Sequence, residues 1–222
     1  MKNRRIKVIV GHYGSGKTEF ALSYCLELKK TYEKVAIVDL DVVNPYFRSR
    51  EWSDLLTQKN IELLGFIIKE EGMDLPAVSG NLMKPINDPS YQCVIDLGGN
   101  GGGARAFSSF RNRIDPEQCE VLLVLNANRP ETSDLKGAIN VIEEIENTLD
   151  LKITGIVNNT HLIWETTKED VLCGDKLAKE VSIKTGIPIR YTVAKREILE
   201  EVFQEVSGDL FPLDIIKRKN WL

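Results

Sequence analysis

The residues Gly11-His12-Tyr13-Gly14-Ser15-Gly16-Lys17-Thr18 fit the spacing G-x-x-x-x-G-K-[ST]. Glycines at those places permit a tight backbone path that turns successive N–H groups toward one point, and a helix opening at the end of the loop adds partial positive charge there. Such a loop suits phosphate oxygens. Gly11, Gly14, Ser15 and Gly16 would contribute backbone contacts, Lys17 would reach the β and γ phosphates, and Thr18 would ligate Mg²⁺.

Two acidic clusters follow apolar runs. Val35 to Asp39 ends in Asp39-Leu40-Asp41, and Cys93 to Asp96 ends in Asp96-Leu97-Gly98-Gly99. Phosphoryl transfer is mostly positioning and charge stabilisation, so it needs one carboxylate beside the metal and another group to orient the attacking water. Asp96 suits the first role. Asp41 suits the second and is also a candidate metal ligand, whereas Asp39 reads equally well as an ordinary strand-end aspartate. Gly99 would let backbone approach a γ phosphate, within a run from Gly98 to Gly103 that has five glycines in six residues.

These residues need a scaffold that brings strand ends together. Short apolar runs alternate with helical patterns, which predicts one doubly wound, mostly parallel sheet with helices on both faces. Strands are expected at Ile6–Val10, Val35–Asp39, more weakly Ile61–Ile68, and then Cys93–Asp96, Val121–Asn126, Ile153–Asn158 and Ile189–Val193. Helical spacing marks Phe20 to Leu28, Leu135 to Leu149, Leu177 to Val181 and Ile198 to Val206. The stretch from Gly72 to Pro89 predicts a long loop or a broken helix. Right-handed crossovers would place the loop after each strand on one edge of the sheet, where ligands bind in such folds.

The chain has 222 residues, enough for a single domain spanning 1–222. A net charge of -4 gives no electrostatic footprint for nucleic acid. Cys25, Cys93, Cys119 and Cys173 form no C-x-x-C pair and the histidines are His12 and His161, so a structural zinc or iron–sulfur site within one chain is not expected. No run is long and apolar enough for a signal peptide or membrane span, which predicts a cytoplasmic location. The tail from Leu210 to Leu222 is weakly basic and amphipathic, and more often such a tail packs on its own domain than on lipid.

The loop Gly11–Thr18, the strand-end Asp-x-Asp and the Asp-x-x-Gly together resemble the MinD/ParA/nitrogenase-iron-protein group of the SIMIBI class of P-loop NTPases. The resemblance implies that Asp41 lies in switch I and that Asp96 and Gly99 lie in switch II. It implies that Asn159 reads adenine, with Asn158 the runner-up by one residue of register, and that Ala194-Lys195-Arg196-Glu197 lies near the base. At the place of the group's signature lysine this chain has His12. The loop also resembles that of metal-delivery GTPases, but their guanine-reading N-K-x-D pattern is absent from Asn158-Asn159-Thr160-His161, which favours ATP with Mg²⁺ as the ligand pair.

Three activities remain open on these residues. One is a nucleotide-switched ATPase acting on a protein partner or through a homodimer, for instance in cofactor or metal-centre maturation, with Arg48 or Arg50 supplying charge during hydrolysis. Another is a small-molecule enzyme of the dethiobiotin-synthetase or cobyrinate-amidating type, which would need a second pocket beside the γ phosphate. The third is a metal-delivery GTPase; beyond these, the basic amphipathic tail from Leu210 to Leu222 keeps a membrane-associated positioning protein as a weaker alternative.

Overall fold

The computed structural model describes residues 4–40, 50–65, 80–98 and 107–213. Eight strands make one sheet: β1 (Ile6–Val10), β2 (Val35–Asp39), β3 (Ile61–Gly65), β4 (Gln92–Asp96), β5 (Cys119–Leu125), β6 (Gly155–Asn158), β7 (Ile189–Ala194) and β8 (Asp209–Pro212). Their order across the sheet is β3-β2-β4-β1-β5-β6-β7-β8, and every neighbouring pair is parallel. The helices are α1 (Lys17–Lys29), α2 (Arg50–Gln58), α3 (Lys84–Asn87), α4 (Leu135–Leu149), α5 (Lys168–Thr185) and α6 (Arg196–Val202), with short 3₁₀ turns between elements.

The central strands β1, β2, β4, β5 and β6 are buried on both faces, which is why they read as continuous apolar runs rather than as alternating ones. On one face, Ile6, Val8, Val10, Ile95, Val121, Leu123 and Leu125 pack against Ala138, Val141 and Ile142 of α4 and Leu177, Ala178 and Val181 of α5. On the other face, Ile9, Ile37, Val94, Leu122, Val124, Val157 and Val193 meet Phe20, Ala21, Tyr24 and Cys25 of α1. The doubly wound expectation therefore holds, and all seven expected strands are present with small shifts of boundary. β3 begins at the expected Ile61, and residues 66–68 of the weaker expectation lie outside the described residues.

The eighth strand was not expected. Only Phe211 of β8 is buried, where it joins a ring cluster with Phe20, Tyr24 and Tyr191, so the segment shows too little periodicity to be read as a strand. Part of the expected tail, Leu210–Leu213, thus packs on its own sheet, and residues 214–222 lie outside the described set. Within the irregular stretch from Gly72 to Pro89, Gly80–Met83 is a 3₁₀ turn that leads into α3, with Pro85 near that helix's start.

One charged residue sits inside β1. Lys7 is 2% exposed, and its ammonium pairs with Glu120 at 2.9 Å, its register neighbour on β5. Glu120 also forms an ion pair with Arg190, whose Nε lies 3.0 Å away, so the buried cation is matched by a carboxylate shared with a second cation.

Helix caps differ in a way that bears on the site. Asp134 caps α4 by accepting from Gly137 N–H (2.7 Å), and Thr167 with Asp170 forms a capping box at α5. α1 is capped by Gly16, which has no side chain with which to accept from the first-turn N–H groups.

α5 approaches the end of β6 closely at Gly174. A Cβ there would lie 2.0 Å from Thr160 Oγ1 and 2.3 Å from Asn158 Oδ1, both on buried side chains. Gly174→Ala is expected to lower the unfolding free energy by about 1–3 kcal/mol through overpacking, despite alanine's better helix propensity. Urea unfolding of both proteins checks this, and an unchanged or higher midpoint contradicts the close approach.

Candidate functional site

β1 ends at Val10, and the chain then turns sharply at Gly11, whose φ is +150°. A Cβ at Gly11 would stand 2.5 Å from the carbonyl oxygen of Val124 on β5, so only glycine passes there. Gly16, with φ +84°, is in the left-handed region, and a Cβ would fall 2.4 Å from Asn159 Nδ2. The two positions the spacing pattern marks as glycine are therefore required by backbone collision on one side and side-chain collision on the other.

Lys17 is 7% exposed, and its Nζ donates to His12 O (3.0 Å), so the ammonium crosses the mouth of the loop from within. Thr18 Oγ1 donates to Asp96 Oδ2 (2.7 Å), which joins the first turn of α1 to the end of β4. Asp96 is buried and stands in register with Ile9 of β1 on one side and Asp39 of β2 on the other. Asp39 is half-buried at the same sheet edge. Thus the structure brings Lys17, Thr18 and Asp96 together, as the sequence pattern anticipates. Asp41, Gly99 and Arg48 lie outside the described residues, and of Arg50 the backbone is seen, opening α2.

The two asparagines at the end of β6 have different surroundings. Asn159 Nδ2 donates to Ser15 O (2.8 Å), which ties the β6 loop to the middle of the Gly11–Thr18 turn. Asn158 is completely buried; its Nδ2 donates to Val171 O (3.0 Å) and its Oδ1 accepts from Thr160 N–H (3.3 Å), so its amide holds α5 to the sheet. Next to them, Ile163 N–H donates to His161 Nδ1 (3.2 Å), which places the ring proton on Nε2, beside Gly16. Burial, and then the charge of Arg129, holds the His161 imidazole below its ordinary pKa and favours the neutral ring.

Sequence reasoning did not single out the loop after β5. Asn126 Oδ1 accepts from Asn128 N–H (2.9 Å), Thr132 Oγ1 donates to Asn126 O (2.7 Å), and Ala127 N–H donates to Thr160 Oγ1 (3.0 Å). The segment 126–132 is thereby made rigid, and it meets the Gly11–Thr18 turn twice. Arg129 Nε donates to Gly14 O (2.9 Å), and Glu131 lies 3.6 Å from His12 Nδ1. The available signal was position: Asn126-Ala127-Asn128-Arg129-Pro130-Glu131 follows a strand at the same edge as the two aspartate clusters.

Beyond Asn159 the chain presents Leu162, Ile163 and Trp164 to solvent. Ile163 has φ +59°, a costly conformation for a β-branched residue. Lys195, from the loop after β7, lies over the Trp164 ring at 5.3 Å and donates to Trp164 O (3.3 Å). The loops after β6 and β7 are thus joined to each other, and the first of them is joined to the Gly11–Thr18 turn.

Among the described residues, no group of three or more His, Cys, Asp or Glu side chains gathers as a metal site by itself, and no helix is long and apolar enough to cross a membrane. A divalent cation at Thr18 and Asp96 would have one hydroxyl and one carboxylate from these residues, a hard-oxygen set that suits Mg²⁺ completed by water and phosphate.

No family model matches the chain, and no curated protein matches it. Solved structures do. FtsY from Mycoplasma mycoides aligns with a TM-score of 0.55 at 23% identity, over 86% of this chain and 60% of that one. Chloroplast FtsY from Physcomitrella patens aligns with a TM-score of 0.55 at 19% identity, over 84% and 57%. The signal recognition particle receptor FtsY from Elizabethkingia anophelis, in complex with GDP, aligns with a TM-score of 0.53 at 15% identity, over 89% and 60%. This chain therefore spans less than two thirds of the length of each of these three proteins. At such identities the likeness concerns architecture alone: a doubly wound, parallel α/β sheet flanked by helices, of the kind typical of P-loop NTPases.

Proposed function

We propose that the chain binds Mg-ATP in the Gly11–Thr18 loop and hydrolyses it slowly, as a nucleotide-dependent switch acting on a protein partner. The observation that carries this is the convergence of Lys17, the uncapped N-terminus of α1 and the Thr18–Asp96 pair, 2.7 Å apart, at one edge of a parallel sheet. Backbone N–H groups from Gly14 to Thr18 supply donors for phosphate oxygens, and Lys17 exchanges its carbonyl partner for the β and γ phosphates. Thr18 and Asp96, with Asp41, would hold Mg²⁺, which when bound neutralises charge on the phosphate oxygens. Asp41 also orients the attacking water, and Gly99 admits backbone to the γ phosphate.

The switch reading draws support from the fold, which the chain shares with a signal recognition particle receptor, and from the Asp-x-Asp and glycine-rich segments. A role in cofactor or metal-centre maturation, and membership of the MinD/ParA branch, rest on the motif resemblance. A small-molecule enzyme is the second reading, because His12 stands where that branch has its lysine.

Choice of base depends on the β6 loop. One of the structures that share the fold holds GDP, so guanine is the serious competitor. Guanine offers two donors, N1–H and N2–H₂, which call for a carboxylate. When N-K-x-D is counted from Asn159, Leu162 occupies the aspartate's place and has no acceptor to offer. Asn159 is therefore the base-side residue in this proposal, and Asn158 is a packing residue.

Three outcomes are expected. Calorimetry with wild type should detect Mg-ATP binding, and Lys17→Ala should abolish it up to millimolar ligand, because the triphosphate loses its central cation. Equal binding by the variant, or none by wild type, overturns the cradle. In competition, ATP should displace a bound reporter nucleotide at least about tenfold better than GTP, the lower end of what pocket contacts supply in discrimination; equal or tighter GTP binding turns the reading toward a GTPase. In single-turnover measurements, Asp41→Asn should slow hydrolysis by roughly 10²-fold or more while ATP affinity stays within a few-fold, since Lys17 and Thr18 are untouched. Wild-type turnover that is fast and insensitive to protein concentration or partner favours the small-molecule enzyme instead.

A further inference from the structure

Arg129 carries a charge that the proposed reading does not use. It is half-buried on the rigid 126–132 loop, and its Nε donates to Gly14 O at 2.9 Å. The guanidinium lies flat against Gly14: its Nε, Cζ and one terminal nitrogen come within 3.0–3.3 Å of where a Cβ would be, so the glycine leaves the space the cation fills. Among the described residues no carboxylate pairs with Arg129, and the nearby Glu131 is directed to His12 instead. A half-buried cation without an acidic partner is open to an anion from outside.

What lies beside it is a phosphate cradle on the reading above. Gly14 precedes the helix cap Gly16 by two residues, so it belongs to the part of the turn beyond the N–H groups of α1 itself. Lys17 and Mg²⁺ share the charge of the β and γ phosphates, and the terminal phosphate, which carries the most charge, has oxygens left for a further cation. After Nε is spent on Gly14 O, the two terminal NH₂ groups of the guanidinium still offer donors.

We propose that Arg129 binds the terminal phosphate of the nucleoside triphosphate, from within the same chain that forms the cradle; this rests on the triphosphate reading of Gly11–Thr18. Its bond to Gly14 O holds the guanidinium in place before the ligand arrives, so little side-chain freedom is lost on binding. The neutral His161 ring nearby avoids a second positive charge against it. In this arrangement Arg129 discriminates triphosphate from diphosphate and stabilises the charge that develops on the γ phosphate, without a second copy of the chain.

The test separates this from a purely mechanical role in shaping the loop. Arg129→Gln keeps an N–H donor for Gly14 O and removes the charge. Calorimetry of wild type, Arg129→Gln and Lys17→Ala with Mg-ATP and Mg-ADP should show ATP affinity of Arg129→Gln falling roughly 10- to 100-fold, as for a lost charge-assisted hydrogen-bond pair, with ADP affinity held within about twofold. Single-turnover hydrolysis should fall in the same variant, by roughly 10³-fold if the arginine acts fully on the transition state. A thermal melt of the variant near that of wild type confirms that the loop is intact, and Arg129→Lys, which keeps charge but loses the fork, should recover part of the ATP preference. An equal loss for ATP and ADP, or an unchanged ratio, overturns the proposal while Lys17→Ala still reports a functioning cradle. If wild type binds neither nucleotide, the cradle reading fails and this assignment fails with it.

Discussion

Three carbonyl groups of the turn between Gly11 and Gly16 are held by side-chain donors, two of them from distant parts of the chain. His12 O receives Lys17 Nζ, Gly14 O receives Arg129 Nε, and Ser15 O receives Asn159 Nδ2. A trans peptide points its C=O and the following N–H in opposite directions, so fixing the Ser15 carbonyl outward fixes the Gly16 N–H inward, while the Ser15 N–H, opposite the Gly14 carbonyl, donates to His12 O (3.2 Å). Positive φ at Gly11, Gly14 and Gly16 makes that arrangement accessible, and the captured oxygens keep it from relaxing. The donors come from the loops after β5 and β6 and from α1, which is why the sheet order β1-β5-β6 matters: it sets these loops side by side.

The two ends of the sheet divide their tasks. At the edge where strands begin, Lys7, Glu120 and Arg190 form a charge network closed within the protein. At the edge where strands end, Lys17 reaches a backbone carbonyl, Arg129 reaches another, and α1 starts without a side-chain cap. Caps on α4 and α5 show that the chain has the means to satisfy helix N–H groups when nothing else is to meet them. Side-chain ion pairs are thus gathered at one end, and a helix start without a side-chain cap lies at the other.

How much of this could be read from the residues differs by feature. The Gly11–Thr18 spacing was legible because collision with Val124 O and with Asn159 leaves glycine as the single choice at its two marked positions. Asp96 could be singled out because it ends an apolar strand expected beside the Gly11–Thr18 turn and opens an Asp-x-x-Gly run. β8 was not, since a four-residue edge strand with one buried side chain leaves no pattern. Arg129 was not either: its role depends on contact across 115 residues, and an arginine before a proline in a polar loop looks like any solvated one. Asn158 and Asn159 could not be told apart by register until the structure showed one amide turned into α5 and the other toward Ser15.

Rigidity on the base side follows from the same tether. Asn159 binds the turn, His161 lies beside Gly16, and Ile163 donates back to His161 despite its own unfavourable φ. The strain at Ile163 is held by bonds on either side, since Leu162 N–H donates to Thr166 Oγ1 and that hydroxyl donates to Ile163 O. Trp164 then carries the connection to Lys195 at the end of β7. A displacement of the Gly14–Gly16 backbone would have to break the Asn159 bond or carry the β6 loop with it, and through Trp164 it would press on the β7 loop. The turn and the two loops on its base side are therefore mechanically one unit, whereas strands β2 and β4 lie on the opposite side of β1.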